Sequence, residues 1–248
     1  MISAIILAGG TSTRMGESKQ LLPFGDRTVI ETIADTLLAT KVDEVVVVLG
    51  HLAEEIAGKI SDRPVRTAVN PDYRDGMLSS VKRGIRSVEG AEAVLICLVD
   101  QPDMSAGVID GLIEAYWNSP KGIVIPVYRG RRGHPVVVGM RYKEEILQLD
   151  DQIGLRGLMR AHPEDILEVE VWDERVLHDM DTREAYLEAL KRLTPPGRSP
   201  TLRAGGNDDR GQEDKEQGCR GAEEQRKQGD KAKTDQRARR PIDEGKEW

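Results

Sequence analysis

Leu7-Ala8-Gly9-Gly10-Thr11-Ser12-Thr13-Arg14-Met15-Gly16-Glu17-Ser18-Lys19 follows directly on the apolar run Ile2–Leu7. Six apolar or small residues in a row at this length read as a buried strand. The glycines, hydroxyls and two cations that follow are the composition of a loop whose backbone comes close to a phosphate. Arg14 and Lys19 add positive charge where a first strand hands over to a helix, the end of an open sheet at which ligands bind. The loop lacks the glycine-lysine-hydroxyl triplet of a Walker loop and the Gly-x-Gly-x-x-Gly spacing of a dinucleotide fingerprint. The bland alternative is a glycine-rich strand-to-helix turn with two solvated cations.

Downstream, β-branched runs alternate with helix-spaced segments. Val45–Leu49, Val65–Val69, Ala93–Val99, Gly122–Val127, Pro135–Val138 and Leu167–Val171 read as strands. Helical spacing marks Thr28–Thr40, Leu52–Ile60, Gly76–Val88, a segment after Ser105, Lys143–Leu149, Leu155–Arg160 and Arg183–Leu193. This alternation predicts an α/β fold with a mostly parallel sheet and helices on both faces. Ser105 is placed to cap its helix.

Of the 248 residues, 38% are hydrophobic, and they concentrate in the first 194. Residues 195–248 hold 13 basic and 12 acidic side chains and eight glycines, but only Leu202, Ile242 and Trp248 as large apolar groups. Such a segment cannot bury enough surface to offset chain entropy, so it reads as a charged, glycine-rich disordered tail behind a domain of residues 1–194. That domain carries a net charge of −8, which argues against general nucleic-acid binding. Cys97 and Cys219 give neither a disulfide framework nor a metal cluster, and a reducing cytoplasm is expected. No apolar run approaches the ~20 residues of a spanning helix, so no membrane association is expected.

Asp100, at the end of a strand, is a candidate Mg²⁺ ligand, since Mg²⁺ takes one or two carboxylate oxygens and completes its shell with water and phosphate. An aspartate in an ordinary turn before a proline is the alternative reading. Asp179 and Asp181 stand just before the last helix, and either suits its N-cap. Ser79 and Ser80 suit a helix start through their hydroxyls, and also suit a polar base edge. The cluster Arg129, Arg131 and Arg132 suits an anion or a solvated turn equally.

These residues carry a resemblance. Leu7–Lys19 resembles the signature of the nucleotidyltransferases that include the molybdenum-cofactor guanylyl- and cytidylyltransferases. It continues through Leu21–Gly25, Asn70-Pro71, Gly76-Met77-Leu78-Ser79-Ser80, Val99-Asp100-Gln101-Pro102, Gly133-His134-Pro135 and Asp179-Met180-Asp181-Thr182. The resemblance implies a Rossmann-like, three-layer αβα fold of the GT-A-like type with a mixed, mostly parallel sheet. It implies an Mg²⁺-dependent enzyme joining CTP or GTP to a phosphorylated acceptor such as molybdopterin, with a molybdoenzyme or its chaperone as a further partner.

In such enzymes the backbone of Leu7, Ala8, Gly9, Gly10 and Thr11 lies against the nucleotide, and cations matching Arg14 and Lys19 neutralise the phosphates. The resemblance makes Asp100 a metal ligand with Asp179, favoured over Asp181, as its partner. It assigns Gly76, Ser79 and Ser80 to the base, and His134 and Arg132 to the acceptor. The Asp-Gln-Pro, Gly-His-Pro and Asp-x-Asp-Thr blocks mark the cytidylyl branch, whereas Gly9-Gly10 is closer to the guanylyl form. Three blocks against one favour cytidylyl transfer. A guanylyltransferase, a transferase acting on a sugar phosphate, and a cofactor-binding chaperone without catalysis are the competing readings.

Overall fold

The computed structural model describes residues 1–12 and 15–193; Arg14 and the expected tail lie outside them. In chain order the strands are β1 (Ile2–Ala8), β2 (Pro23–Phe24), β3 (Arg27–Thr28), β4 (Glu44–Leu49), β5 (Arg66–Val69), β6 (Ala93–Leu98), β7 (Ile123–Tyr128), β8 (Arg131–Arg132), β9 (Val136–Gly139) and β10 (Ile166–Glu170). The helices are α1 (Val29–Leu38), α2 (Ala53–Lys59), α3 (Met77–Ser87), α4 (Ala106–Trp117), α5 (Lys143–Gln148), α6 (Arg156–Ala161) and α7 (Arg183–Leu193).

The main sheet runs β10-β7-β9-β6-β1-β4-β5, with β8 paired to β7. β1 lies between β4 and β6, parallel to both. β9 runs antiparallel between β6 and β7. β2 and β3 form a separate hairpin, whose turn passes through Gly25 at φ +68°.

Every residue of β1 is buried, as a strand covered on both faces requires. Its side chains alternate between two cores. Ile2, Ala4 and Ile6 join Ile30, Ile33 and Leu37 of α1, Ile56 of α2 and Ile109 of α4. Ile5 and Leu7 face Leu78, Val81 and Ile85 of α3, with Ile146 of α5 and Leu158 of α6 further along. Each isoleucine, leucine or valine among them contributes about 1.5–3 kcal/mol by leaving water, so the two cores rather than helix propensity hold the layers together. The result is the expected three-layer αβα arrangement with a mixed, mostly parallel sheet.

α3 packs especially close. A Cβ on Gly84 would lie 2.5 Å from Ile5 Cγ2 and 3.2 Å from Val48 Cγ2. This approach brings the first turn of α3 to the carboxyl ends of β1 and β4. At the start of α1, the Glu31 carboxylate accepts from the Thr28 N–H (2.8 Å) and Thr28 Oγ1 (2.6 Å), fixing the helix entry. Among the described residues no helix is long and apolar enough to cross a membrane.

Candidate active site at the carboxyl ends of β1 and β6

β1 ends at Ala8 and the glycine loop begins. A Cβ on Gly9 would lie 3.2 Å from Ser80 Oγ and 3.5 Å from Tyr73 Cβ, so the loop and the start of α3 are in close contact here. Gly10 faces open space instead; its missing side chain leaves room rather than relieving a clash. Ser12 turns the chain at φ +51°. Its carbonyl accepts from the Met15 N–H and its hydroxyl accepts from the Lys19 N–H, both at 3.0 Å.

Gln20 pins the loop from beneath. It is fully buried, and its Nε2 donates to Ala8 O (2.8 Å) and Gly10 O (3.0 Å) while its Oε1 accepts from Ser18 Oγ (2.7 Å). The buried Ala8 carbonyl and the partly buried Gly10 carbonyl would otherwise lose this partner. Sequence reasoning missed this residue because its role exists only once the loop has folded back over it.

Lys19 points to the other half of the site. It is 8% exposed, with Nζ 2.5 Å from Asp181 Oδ1 and 4.0 Å from Asp100 Oδ2. Asp100 stands two residues beyond β6, and its carbonyl accepts from the Met180 N–H at 2.8 Å. That main-chain bond ties the Asp179–Thr182 segment to the end of the sheet. Of the Asp179–Asp181 pair, it is the Asp181 carboxylate that pairs with Lys19. Asp181 does not cap α7. Thr182 does so, its Oγ1 accepting from the Ala185 N–H at 3.2 Å. Beyond this segment, Arg192 of α7 pairs with the buried Asp103 carboxylate at 2.7 Å.

Opposite the lysine, Gly76 at φ +116° introduces α3. Asn70 Nδ2 donates to Ser79 Oγ (2.9 Å) and Ser80 Oγ (3.1 Å). Ser79 Oγ also lies 2.8 Å from Gly76 O and 2.9 Å from Asp72 O, both acceptors. Neither serine caps a backbone N–H of the helix, contrary to the simplest expectation. Ser105 likewise occupies the N-cap of α4 without a side-chain bond.

Between these parts lies a cleft of about 400 Å³. Its walls are the glycine loop from Gly9 to Ser12, Lys19 and Gln20, Tyr73 and Arg74, Gly76, Met77 and Ser80, and the stretch Leu98–Asp100. The glycine loop, a lysine and the Asp100 carboxylate thus line one space large enough for a small ligand. Residues 4–166 match the MobA-like NTP transferase domain family. The chain belongs to this family.

Relatives of the MobA-like domain differ in what they are named for. Nicotine blue oxidoreductase of Paenarthrobacter nicotinovorans is 31% identical over 198 residues, which is 76% of this chain and 96% of that protein. Molybdenum cofactor cytidylyltransferase of Escherichia coli K12 is 28% identical over 196 residues, 78% of this chain and 97% of that protein. Probable molybdenum cofactor guanylyltransferases also match, that of Mycobacterium avium at 28% over 76% of this chain and 94% of its own length. Among solved structures, a nucleotidyl transferase from Methanothermobacter superposes with a TM-score of 0.69 at 27% identity, covering 78% of this chain and 99% of its own.

The MobA-like domain places the remaining sequence candidates away from the cleft lining. His134 is 3% exposed, and its N–H donates to Val176 O at 2.9 Å. Arg132 is engaged by Glu168 of β10, with guanidinium-to-carboxylate distances of 2.6 and 2.7 Å. Tyr73, which sequence did not single out, lines the cleft with Arg74 stacked 5.5 Å from its ring centre. The only sequence signal for Tyr73 was its place between Asn70-Pro71 and Gly76. Among the described residues no group of three or more His, Cys, Asp and Glu side chains gathers to hold a metal ion. The Asp100 carboxylate lines the cleft, and Asp181 reaches it through its pair with Lys19.

Proposed function

We propose that this MobA-like domain transfers the cytidylyl group of CTP to the phosphate of molybdopterin with release of pyrophosphate. The observation that carries the reading is Lys19, at the end of the glycine loop, held between Asp181 and Asp100 in the cleft wall. An oxygen of the acceptor phosphate attacks the α-phosphorus and forms the new P–O bond. The bond from the α-phosphorus to the bridging oxygen breaks, and pyrophosphate leaves with the electron pair. No side-chain nucleophile is required; positioning and charge neutralisation supply the rate.

In this scheme the Gly9–Ser12 backbone cradles the triphosphate, and Lys19 neutralises charge on it as the α-phosphorus becomes five-coordinate. Arg14 is assigned the same work on its motif position. Two carboxylates flanking one lysine fit the limited protein donor set that Mg²⁺ takes beside phosphates, so Asp100 and Asp181 would hold the ion. When bound, the ion would screen the phosphate charge. Gly76 and Ser80, with Tyr73, form the wall on which the base is read.

Support for cytosine comes from the Asp-Gln-Pro, Gly-His-Pro and Asp-x-Asp-Thr blocks and from the cytidylyltransferase relative. The guanylyl reading draws on Gly9-Gly10 and on the open space at Gly10. Incubating the chain with molybdopterin, Mg²⁺ and each NTP in turn, and following pyrophosphate, tests both. CTP should give the highest kcat/KM. A GTP preference would remove the base assignment, and no release with any NTP would remove the activity.

A further inference from the structure

The geometry points to the Gly-His-Pro block as a main-chain clamp that sets the Asp181 carboxylate opposite Asp100, making Gly133 a positioning residue rather than a substrate contact. This rests on the nucleotidyl-transfer reading given above and names a residue that works behind its carboxylates.

Three separated motifs meet at one carbonyl. Val176 O accepts from the His134 N–H at 2.9 Å and lies 3.5 Å from Gln101 Nε2. Gly133 sits so close that a Cβ there would overlap Val176 O, and would come within 2.9 Å of the Val176 carbonyl carbon. Gly133 does not lie at a positive φ, so the glycine is required by this approach and not by its own backbone conformation. Retreat is blocked on the other side, because the Gly133 N–H donates to Pro126 O of β7 at 2.8 Å.

From Val176 the chain runs to Met180, whose N–H is held by Asp100 O at 2.8 Å, and then to Asp181 on Lys19. The near side is also fixed, since Asp173 accepts from the Arg175 guanidinium at 2.6 and 2.8 Å and from its N–H at 3.1 Å. Val176 and Met180 are both buried. A segment clamped at Val176 and at Met180 leaves Asp181 little freedom. A methyl group on Gly133 must push Val176 away, and the strain falls on the Met180 N–H to Asp100 O bond that immediately precedes Asp181.

The test is Gly133→Ala in the full chain. Amide exchange in residues 176–181 should accelerate about tenfold. The kcat should fall about tenfold while the KM for CTP stays within about twofold, because a displaced carboxylate weakens the transition state more than nucleotide binding. Half-saturation by Mn²⁺, followed by electron paramagnetic resonance with α,β-methylene-CTP present, should rise about tenfold. Wild-type exchange in residues 176–181, or a rise in acceptor KM with kcat unchanged, would overturn the clamp. If Gly133→Ala does not fold, Gln101→Leu decides by the same readouts: faster exchange and weaker Mn²⁺ binding support the clamp, and wild-type values overturn it. If wild-type enzyme releases no pyrophosphate with any NTP, the functional reading fails, while exchange at 176–181 still decides the clamp.

Discussion

Replacing Gly50 by alanine probes the site from behind, because Gly50 does not line the cleft yet supports two residues that do. A Cβ at this position would lie 2.6 Å from Tyr73 Cβ and 2.7 Å from Gly9 O. Ordinary van der Waals contact begins at 3.4 Å, so the glycine carbonyl or the tyrosine must move by about 0.7 Å. Gly9 O is itself held by the His51 N–H at 3.2 Å, and Gly50 is bridged to Leu52. Overpacking of this kind costs about 1–3 kcal/mol, which for a domain of this size lowers Tm by roughly 4–8 °C at the middle of that range. A 1 Å misplacement at a reacting centre costs about a hundredfold, so a shift of this size should lower kcat/KM about tenfold. Thermal unfolding and steady-state pyrophosphate release read the two effects. Wild-type Tm together with wild-type kcat/KM would refute the claim that Gly9, Gly50 and Tyr73 form one packed wall of the site.

Asp181→Asn should lower kcat about a hundredfold and shift the Mg²⁺ dependence to higher concentration, while Asp179→Asn should have a smaller effect; metal titrations of both variants rank the carboxylates. Burial alone would raise the Asp165 carboxyl, but bonds from the Tyr142 hydroxyl and the Arg141 guanidinium prevail and hold it below the ordinary carboxylate range. Its stabilisation is therefore present above pH ~4 and is lost as pH falls below that. Asp165→Asn should be less stable than wild type in urea at neutral pH, with the difference closing toward pH ~3. Burial pushes the Cys97 thiol well above its usual range. In a Cys219→Ser background, Cys97 should not react with Ellman's reagent until denaturant is added.

The strands that carry the site were legible because each is a buried apolar run ending on punctuation. Ile2–Leu7 ends at glycines and Ala93–Val99 at Asp100, and the structure draws β1 and β6 with nearly these limits. The β2–β3 hairpin was not legible, since two-residue strands carry no period and depend on Gly25 for their turn. β9 reads locally like any parallel strand; its antiparallel place between β6 and β7 is set by tertiary pairing. Within the site, Lys19 and Asp100 were legible as a charged loop and a strand-end carboxylate. Gln20 was not, because it reads as one more polar residue until the glycine turn presents two carbonyls to it. The burial of His134 and the bond from its main-chain N–H to Val176 O were not legible, because they depend on a segment about forty residues further along the chain.

The central claim is that the Lys19, Asp100 and Asp181 constellation performs nucleotidyl transfer, and the transfer of label tests it most directly. With CTP carrying ³²P at the α position and molybdopterin as acceptor, wild-type enzyme should move the label onto the pterin in step with pyrophosphate release. Asp100→Asn should bind CTP and keep its fold but lose label transfer by at least about a hundredfold. Label transfer at the wild-type rate by Asp100→Asn would contradict the account.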